Sequence, residues 1–246
     1  MKFIENDNSF KLTEFSLVEK YPYKTYSRAA DPETGKRMYS VDGTKLPSVT
    51  TILGATKDQE SIDALARWRA KVGEEGAEKI KNEASSIGTE MHLVIEKYIN
   101  GEGYLNLTEK GNRARRMAHT ILKNLNPLTE VWGNEVSLAY PEKYAGATDC
   151  IGVMDGKVTL FDWKQTNKPK KREWSAVQDY FMQLGAYSLA HEAMYQPIEQ
   201  AKICMCSRNF DYQEFTIEGQ ELKDYQEKWW ERYCCVCLLY ALFTDR

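Results

Sequence analysis

The 246-residue sequence has no apolar run that approaches the roughly eighteen residues of a membrane-spanning helix. Residues 1–7 also lack the apolar stretch of a signal peptide, and Glu5 and Asp7 are atypical of a mitochondrial transit peptide. These absences lead us to expect a cytoplasmic protein that has no membrane partner.

The sequence also lacks internal repeats and a cysteine framework of the secreted kind. Its six cysteines include a tight group at Cys234, Cys235 and Cys237, and none precedes Cys150. A chain of this length can bury a full core without disulfides or a structural metal. With 42% hydrophobic and 28% charged residues, the composition is typical of one soluble globular domain and excludes disordered and collagen-like chains.

Net positive charge is absent as well, because 33 Lys+Arg face 36 Asp+Glu and the formal net charge is -3. Nucleic-acid-binding domains usually carry a basic surface, so the total alone argues against such a partner. The distribution argues the other way, because five basic residues occur between positions 164 and 172 with no acid among them. They are Lys164, Lys168, Lys170, Lys171 and Arg172.

Three regions follow one another along the chain, and we expect them to form a single compact domain. Residues 1–56 form an N-terminal β-rich segment, with β structure over residues 20–53 and a turn at Asp42-Gly43. Residues 57–130 form a helical region divided at Gly73 and Gly76, with a further helix over residues 108–125. Residues 131–246 form the core.

The core has an alternating pattern of strands and helices. Strands are predicted over residues 131–139, 145–154 and 157–166, followed by a long amphipathic helix over about residues 175–195. Two more strands, near residues 201–206 and 214–217, precede a final helix from about residue 220. This order predicts an α/β or α+β fold with a central mixed β-sheet flanked by helices.

The turn between the second and third strands of the core brings two carboxylates together. A two-residue loop at Asp155-Gly156 pairs Met154 with Lys157, and the same register places Asp149 opposite Asp162. Their Cβ atoms would then lie about 4.5–5.5 Å apart on one face of the sheet. Two like charges so placed destabilise a sheet unless a cation lies between them.

Lys164 shares the face of Asp162, because side chains alternate along a strand. The alternative is an edge hairpin with solvated charges. Cys150, Phe161 and Trp163 argue against it, because they make the opposite face apolar as well. Carboxylate oxygens suit Mg²⁺ or Mn²⁺, and such an ion can activate water and neutralise charge on a phosphate. The pattern therefore indicates phosphodiester hydrolysis.

Four sequence motifs resemble those of a known nuclease group. Asp149 followed by Asp162-Trp163-Lys164 resembles the PD-(D/E)XK signature, with Thr148 in place of the first proline. Residues 88–92 resemble the GxxxH motif of RecB-type nuclease domains, and residues 183–187 their QxxxY motif. Residues 46–53 and 162–170 resemble the family of mitochondrial genome maintenance exonucleases and related phage exonucleases.

The resemblance implies a restriction-endonuclease-like PD-(D/E)XK core and a set of site residues. It implies that Lys164 is the catalytic lysine, that Glu135 and Gln183 are further catalytic residues, and that an Mg²⁺ or Mn²⁺ ion is bound. The implied metal ligands are His92, Asp149, Asp162 and the carbonyl oxygen of Trp163. From its position alone, His92 could equally be a structural histidine beside the apolar face of its helix.

The implied partner is DNA, in single-stranded form. Besides Lys168, Lys170, Lys171 and Arg172, the residues expected to contact it are Ser48, Thr50, Thr51, Thr166 and Tyr187. Tyr187 could instead serve ordinary helix packing, and the threonines could reflect strand propensity alone. The spacing of Cys234, Cys235 and Cys237 does not favour an iron–sulfur cluster.

The expected activity is metal-dependent hydrolysis of single-stranded DNA from its ends, in phage-type DNA replication, repair or recombination, by a monomer. The resemblance implies that it takes place in a bacterial or phage-infected host cytoplasm. Two alternatives stay open at this point. One is a structure-specific or restriction-like endonuclease of the same fold. The other is a non-catalytic DNA-binding accessory protein.

Overall fold

The computed structural model describes residues 14–244, with side chains up to residue 237. The strands are β1 (Ser16–Leu17), β2 (Ser27–Ala30), β3 (Arg37–Val41), β4 (Thr44–Pro47), β5 (Leu128–Tyr140), β6 (Tyr144–Met154), β7 (Lys157–Thr166), β8 (Gln200–Ser207) and β9 (Tyr212–Glu218). The helices are α1 (Val49–Ala55), α2 (Gln59–Val72), α3 (Glu74–Ile99), α4 (Glu109–Leu122), α5 (Ser175–Met194) and α6 (Gly219–Thr244).

Six of the strands form a mixed sheet in the order β1-β5-β6-β7-β8-β9. The pairs β1–β5 and β7–β8 are parallel, and the other neighbours are antiparallel. Helices cover both faces of this sheet, which confirms the predicted fold class. Strands β2, β3 and β4 form a separate antiparallel sheet, and Tyr39 and Leu46 of that sheet pack against Ala139 and Ala145 of β5 and β6.

Both predicted hairpin turns are present. Asp155 and Gly156 have φ values of 54° and 74°, and Asp42 and Gly43 have φ values of 47° and 88°. Two successive positive φ values are typical of the tight turns that match the twist of the flanking strands. Met154 pairs with Lys157, so the register of β6 and β7 begins as the sequence predicts.

Side chains of β6 and β7 alternate between two buried clusters. Ile151 and Leu160 belong to the cluster formed with α1, α5 and α6. Cys150, Phe161 and Trp163 belong to the cluster formed with α3 and α4. The hairpin is therefore central and apolar on both faces, and the alternative of a solvated edge hairpin is wrong.

Helix α5 is not amphipathic, in contrast with the sequence prediction. Eleven of its twenty residues are buried, and they lie all around the helix. The sheet covers one side of α5, and α1 and α6 cover another. At Gly185 a Cβ atom would lie 2.7 Å from the Tyr225 carbonyl oxygen of α6, so α5 and α6 pack closely there.

Two boundaries in the first half of the chain differ from the prediction. Residues 49–55 form helix α1 instead of β structure, because Ser48 caps it by accepting a hydrogen bond from the Thr51 N–H at 3.0 Å. Gly73, with φ of 78°, separates α2 from α3, whereas Gly76 lies inside α3. Across residues 14–244, the helices are all too short or too polar to cross a membrane.

Candidate active site

The candidate site lies where β6 and β7 stop pairing. Their regular ladder ends at Cys150 and Phe161, one pair before the two aspartates. Beyond this pair, hydrogen bonds from side chains connect the two strands in place of main-chain hydrogen bonds. Asp149 Oδ2 accepts a hydrogen bond from the Trp163 N–H at 2.5 Å, and Thr148 Oγ1 donates to the Phe161 carbonyl at 2.9 Å. The expected pairing of Asp149 with Asp162 as a regular ladder pair is therefore wrong, because the Asp149 carboxylate itself bonds to β7.

Three potential metal ligands converge at this point from α3, β5 and β6. The donor atoms of His92, Glu135 and Asp149 all lie within 4.8 Å of one another. Glu135 has φ of 53°, and the pairs that flank it, Asn134–Cys150 and Val136–Thr148, put it opposite Asp149. Positive φ is uncommon for a residue other than glycine and marks local strain. The strained backbone therefore occurs at the residue that completes the group.

A hydrogen bond joins His92 to Asp149. The His92 Nδ1 atom lies 3.1 Å from Asp149 Oδ1, and because an ionised carboxylate only accepts, Nδ1 is the donor. Desolvation acts to lower the pKa of His92, but the Asp149 carboxylate outweighs it and the net shift is upward. Desolvation likewise acts to raise the pKa of Asp149, and His92 reverses that shift. The two groups therefore favour an ion pair.

Glu135 differs from its neighbours in that its pKa lies close to neutrality. Its side chain keeps contact with solvent, yet desolvation by the surrounding protein and the charge of Asp149 raise its pKa to about 7. A carboxyl group with this pKa exchanges its proton near neutral pH. It could therefore either release the proton to bind a cation or accept one from a reacting group.

Asp162 is 3% exposed and is held from two sides. Gln183 Nε2 donates to Asp162 Oδ1 at 3.3 Å, and the Lys164 ammonium forms an ion pair with Oδ2. Within residues 14–237, Oδ2 accepts no hydrogen bond from any other group. Desolvation acts to lower the pKa of Lys164, but Asp162 and Asp149 raise it above its usual value. The lysine is therefore charged at neutral pH.

The donor set fits a divalent cation. Two carboxylates with one imidazole match the ligands that Mn²⁺ accepts, and the carboxylates also suit Mg²⁺. Asp162 stays a predicted ligand, because its Oδ2 atom is paired with the Lys164 ammonium and Asp162 does not belong to the group of donor atoms that lie within 4.8 Å of one another. The carbonyl oxygen of Trp163 stays a predicted ligand, whereas its ring is 1% exposed and stacks on Phe161 at 5.3 Å.

Gln183 and Tyr187 are buried beneath Asp162. Gln183 Nε2 donates to the Tyr187 hydroxyl at 3.2 Å, so the tyrosine acts on Asp162 through the glutamine. Tyr187 is 3% exposed, and a Cβ atom at Gly146 would lie 2.4 Å from its ring. The structure therefore places Tyr187 in the core, and not on a surface that could contact DNA as the sequence predicts.

The hydroxyl groups expected to contact DNA are mostly engaged within the protein. Ser48 is 2% exposed and caps α1, although its bridge to Ala145 places it beside β6. Thr51 Oγ1 donates to the Arg37 carbonyl, and Thr166 Oγ1 donates to the Lys168 carbonyl. Thr50 is exposed, but its hydroxyl lies 3.0 Å from Ser48 Oγ.

The basic residues after β7 form a loop that leads into α5. Lys168 and Lys171 are exposed, and the Lys168 and Lys170 ammonium groups lie 5.7 and 5.6 Å from the ring centre of Trp174. Arg172 is engaged, because it donates to the Thr216 carbonyl at 3.0 Å and to Glu221 at 2.6 Å. The free positive charge of the loop is therefore carried mainly by the lysines.

Tyr180 also lies at the site, although none of the sequence motifs includes it. The Lys164 Nζ atom is 4.9 Å from the centre of the Tyr180 ring. Tyr180 precedes Gln183 by three residues, so helical periodicity on α5 could have indicated it.

The cysteines form no metal site within the part of the chain whose side chains are described. Cys150, Cys204 and Cys206 are buried, and Cys234, Cys235 and Cys237 are exposed. Among these side chains, the only group that could hold a metal ion is His92, Glu135 and Asp149.

Some known proteins are similar in sequence to part of this chain. No family model matches the chain. It is similar to proteins named mitochondrial genome maintenance exonuclease 1, with 31% identity over 133 residues for the mouse protein, 51% of this chain and 38% of that protein. For the human protein the identity is 24% over 130 residues, with the same two coverages. For the Xenopus tropicalis protein it is 26% over 159 residues, 61% of this chain and 44% of that one.

The chain thus spans about two fifths of the length of these relatives. Among solved structures, it resembles that of a Eubacterium rectale protein provisionally named as an exonuclease, with a TM-score of 0.38 and 13% identity. That match covers 78% of this chain and 73% of the other.

Proposed function

We propose that this chain is a metal-dependent DNA exonuclease of the RecB-like PD-(D/E)XK type, which hydrolyses phosphodiester bonds at ends of single-stranded DNA. The observation that carries the proposal is the convergence of His92, Glu135 and Asp149. Asp149 accepts a hydrogen bond from the N–H of Trp163, the residue between Asp162 and Lys164 in the sequence, and these two residues form an ion pair. Carboxylates that can hold a cation, next to a half-buried lysine, suit a site that stabilises charge on a phosphate.

When bound, Mg²⁺ or Mn²⁺ would activate water for attack and offset the charge that develops on the phosphate. The protein would contribute by holding the ligands. Asp149 orients the His92 ring through the Nδ1 hydrogen bond, as carboxylate–histidine pairs do in metal sites. Gln183 fixes Asp162, and the charged Lys164 donates hydrogen bonds to a phosphate oxygen. Glu135, with its pKa of about 7, can accept a proton at its carboxylate.

The preference for single-stranded DNA is supported by the loop after β7. Exposed lysines bind phosphates without reading bases, and aromatic rings stack on unpaired bases. Lys168, Lys171 and the half-buried Trp174 offer both features close to β7.

The relatives are named exonucleases, but the match covers less than half of each. DNA as substrate, action from ends as a monomer, and a role in phage-type replication, repair or recombination in the cytoplasm are therefore parts of the proposal.

A cleavage assay on three substrates tests the proposal. End-labelled single-stranded, double-stranded and closed circular single-stranded DNA are incubated with the protein and Mg²⁺, Mn²⁺ or a chelator. We expect metal-dependent shortening of the linear single strand and an intact circle. Cleavage of the circle would favour the endonuclease alternative, and binding without cleavage would favour the accessory protein.

Lys164→Met, compared with Lys157→Met on the same hairpin, localises the activity. Lys157 pairs with Glu218 on the exposed surface, so its loss should leave cleavage unchanged. Lys164→Met should lower the cleavage rate about a hundredfold or more, because it removes a charge that stabilises the transition state. Equal activity of the two variants would refute the assignment of Lys164.

A further inference from the structure

We infer that Tyr180 is a positioning residue that holds the Lys164 ammonium in place, an inference that rests on the proposed nuclease function. The ammonium lies over the face of the Tyr180 ring, 4.9 Å from its centre, while it pairs with Asp162. The side chain of Lys164 is 19% exposed, and Tyr180 is half-buried. The contact is therefore shielded from much of the solvent that weakens such interactions at a protein surface.

Helix α5 thus holds both members of the ion pair. Tyr180, Gln183 and Tyr187 are spaced by three and four residues, so they share one face of the helix. Gln183 donates to the Asp162 carboxylate at 3.3 Å and to the Tyr187 hydroxyl at 3.2 Å. Tyr180, one turn earlier on α5, contacts the Lys164 ammonium group. The helical turn before residues 183–187 therefore has a separate role, which is to hold the Lys164 ammonium.

An aromatic face suits this task better than a carboxylate would. The lysine ammonium has three N–H donors, and it already forms an ion pair with Asp162. The ring attracts the positive charge through its quadrupole and takes up no conventional hydrogen bond. Tyr180 would therefore limit the motion of the ammonium without neutralising it, and leave N–H groups free to donate to a substrate phosphate.

Substitutions at Tyr180 test this role through the division between kcat and KM. Tyr180→Phe keeps the ring and should keep kcat within about twofold of the original protein. Tyr180→Leu removes the ring and should lower kcat about tenfold, with KM for single-stranded DNA little changed. In a Lys164→Met background, Tyr180→Leu should cause no further loss, because the ammonium that the ring holds is gone.

Fluorinated phenylalanines at position 180 separate the charge–ring contact from packing, and they remain informative if the leucine variant folds poorly. Successive fluorination weakens the ring quadrupole with little change of shape, so kcat should fall stepwise along the series. A flat series, or losses that multiply in the double variant, would overturn the role of Tyr180. Absence of cleavage by the original protein would refute the nuclease proposal instead. In that case, a crystal structure of Tyr180→Leu with Lys164 undisplaced would still overturn the positioning role.

Discussion

Replacing Gly185 by alanine should destabilise the protein, although alanine is the better helix former. Alanine in a helix interior gains about 0.5–1 kcal/mol over glycine. At Gly185, however, the new Cβ atom would lie 2.7 Å from the Tyr225 carbonyl oxygen and 2.8 Å from its carbon. Both are main-chain atoms of α6, so relief requires a shift of one helix. Overpacking of this kind costs about 1–3 kcal/mol, which leaves a net loss of up to about 2.5 kcal/mol.

Gly76→Ala is the control, because Gly76 also has a helical position, in the first turn of α3. Its Cβ atom would meet nothing closer than Val72 Cβ at 3.9 Å, so only the gain in helix propensity applies. Urea unfolding followed by circular dichroism should therefore show opposite signs for the two variants. A Gly185→Ala variant as stable as Gly76→Ala would refute the close packing of α5 on α6.

The same substitution bears on function, because α5 carries Gln183 and Tyr180. A shift of α5 away from α6 would change the hydrogen bond between Gln183 and Asp162, which measures 3.3 Å. We therefore expect Gly185→Ala to lower nuclease activity by more than its loss of stability explains, when both proteins are assayed well below their unfolding temperatures. Gly76→Ala should leave activity unchanged.

Three further predictions concern titration and charge. Desolvation lowers the pKa of the buried His191, so the contribution of this side chain to the free energy of unfolding should be constant above pH 6.5 and fall below it by up to about 1.4 kcal/mol per pH unit; the difference in unfolding free energy between the original protein and His191→Gln, measured by urea titration, should show this fall. Because the pKa of Glu135 is about 7, Mn²⁺ affinity measured by calorimetry should weaken as pH falls through 7, and less so in Glu135→Gln. Lys168→Gln and Lys171→Gln should each reduce the salt dependence of DNA binding in Ca²⁺ by about one ion, and Arg172→Gln by less, since Arg172 pairs with Glu221.

Much of the architecture could be predicted because local signals determine it. The Asp155-Gly156 turn has a backbone preference that does not depend on the rest of the fold, and it sets the register as far as Cys150 and Phe161. The alternation that puts Asp162 and Lys164 on one face is a property of any strand. These two rules were sufficient to locate the strand that carries Asp162 and Lys164.

The separation of β6 and β7 could not be predicted from the same rules. It arises because the Asp149 carboxylate, and not a main-chain carbonyl, accepts the hydrogen bond from the Trp163 N–H. The rules for strand pairing do not say whether a side chain or the main chain will supply the acceptor. The positive φ of Glu135 likewise depends on its neighbours in three dimensions. Helix α5 was predicted to be amphipathic, but α1 and α6 also cover it. Those contacts involve residues far away in the sequence, so the periodicity of α5 alone does not reveal them.

The most direct test of the metal-dependent nuclease site is a comparison of Asp162→Asn with Asp155→Asn under single-turnover conditions in Mn²⁺. Asp155 lies in the exposed turn of the same hairpin with φ of 54°, a conformation that asparagine tolerates. We predict that Asp155→Asn cleaves linear single-stranded DNA at the original rate and that Asp162→Asn is slower by about a thousandfold. Equal cleavage by the two folded variants would contradict the central claim that Asp162 belongs to the catalytic site.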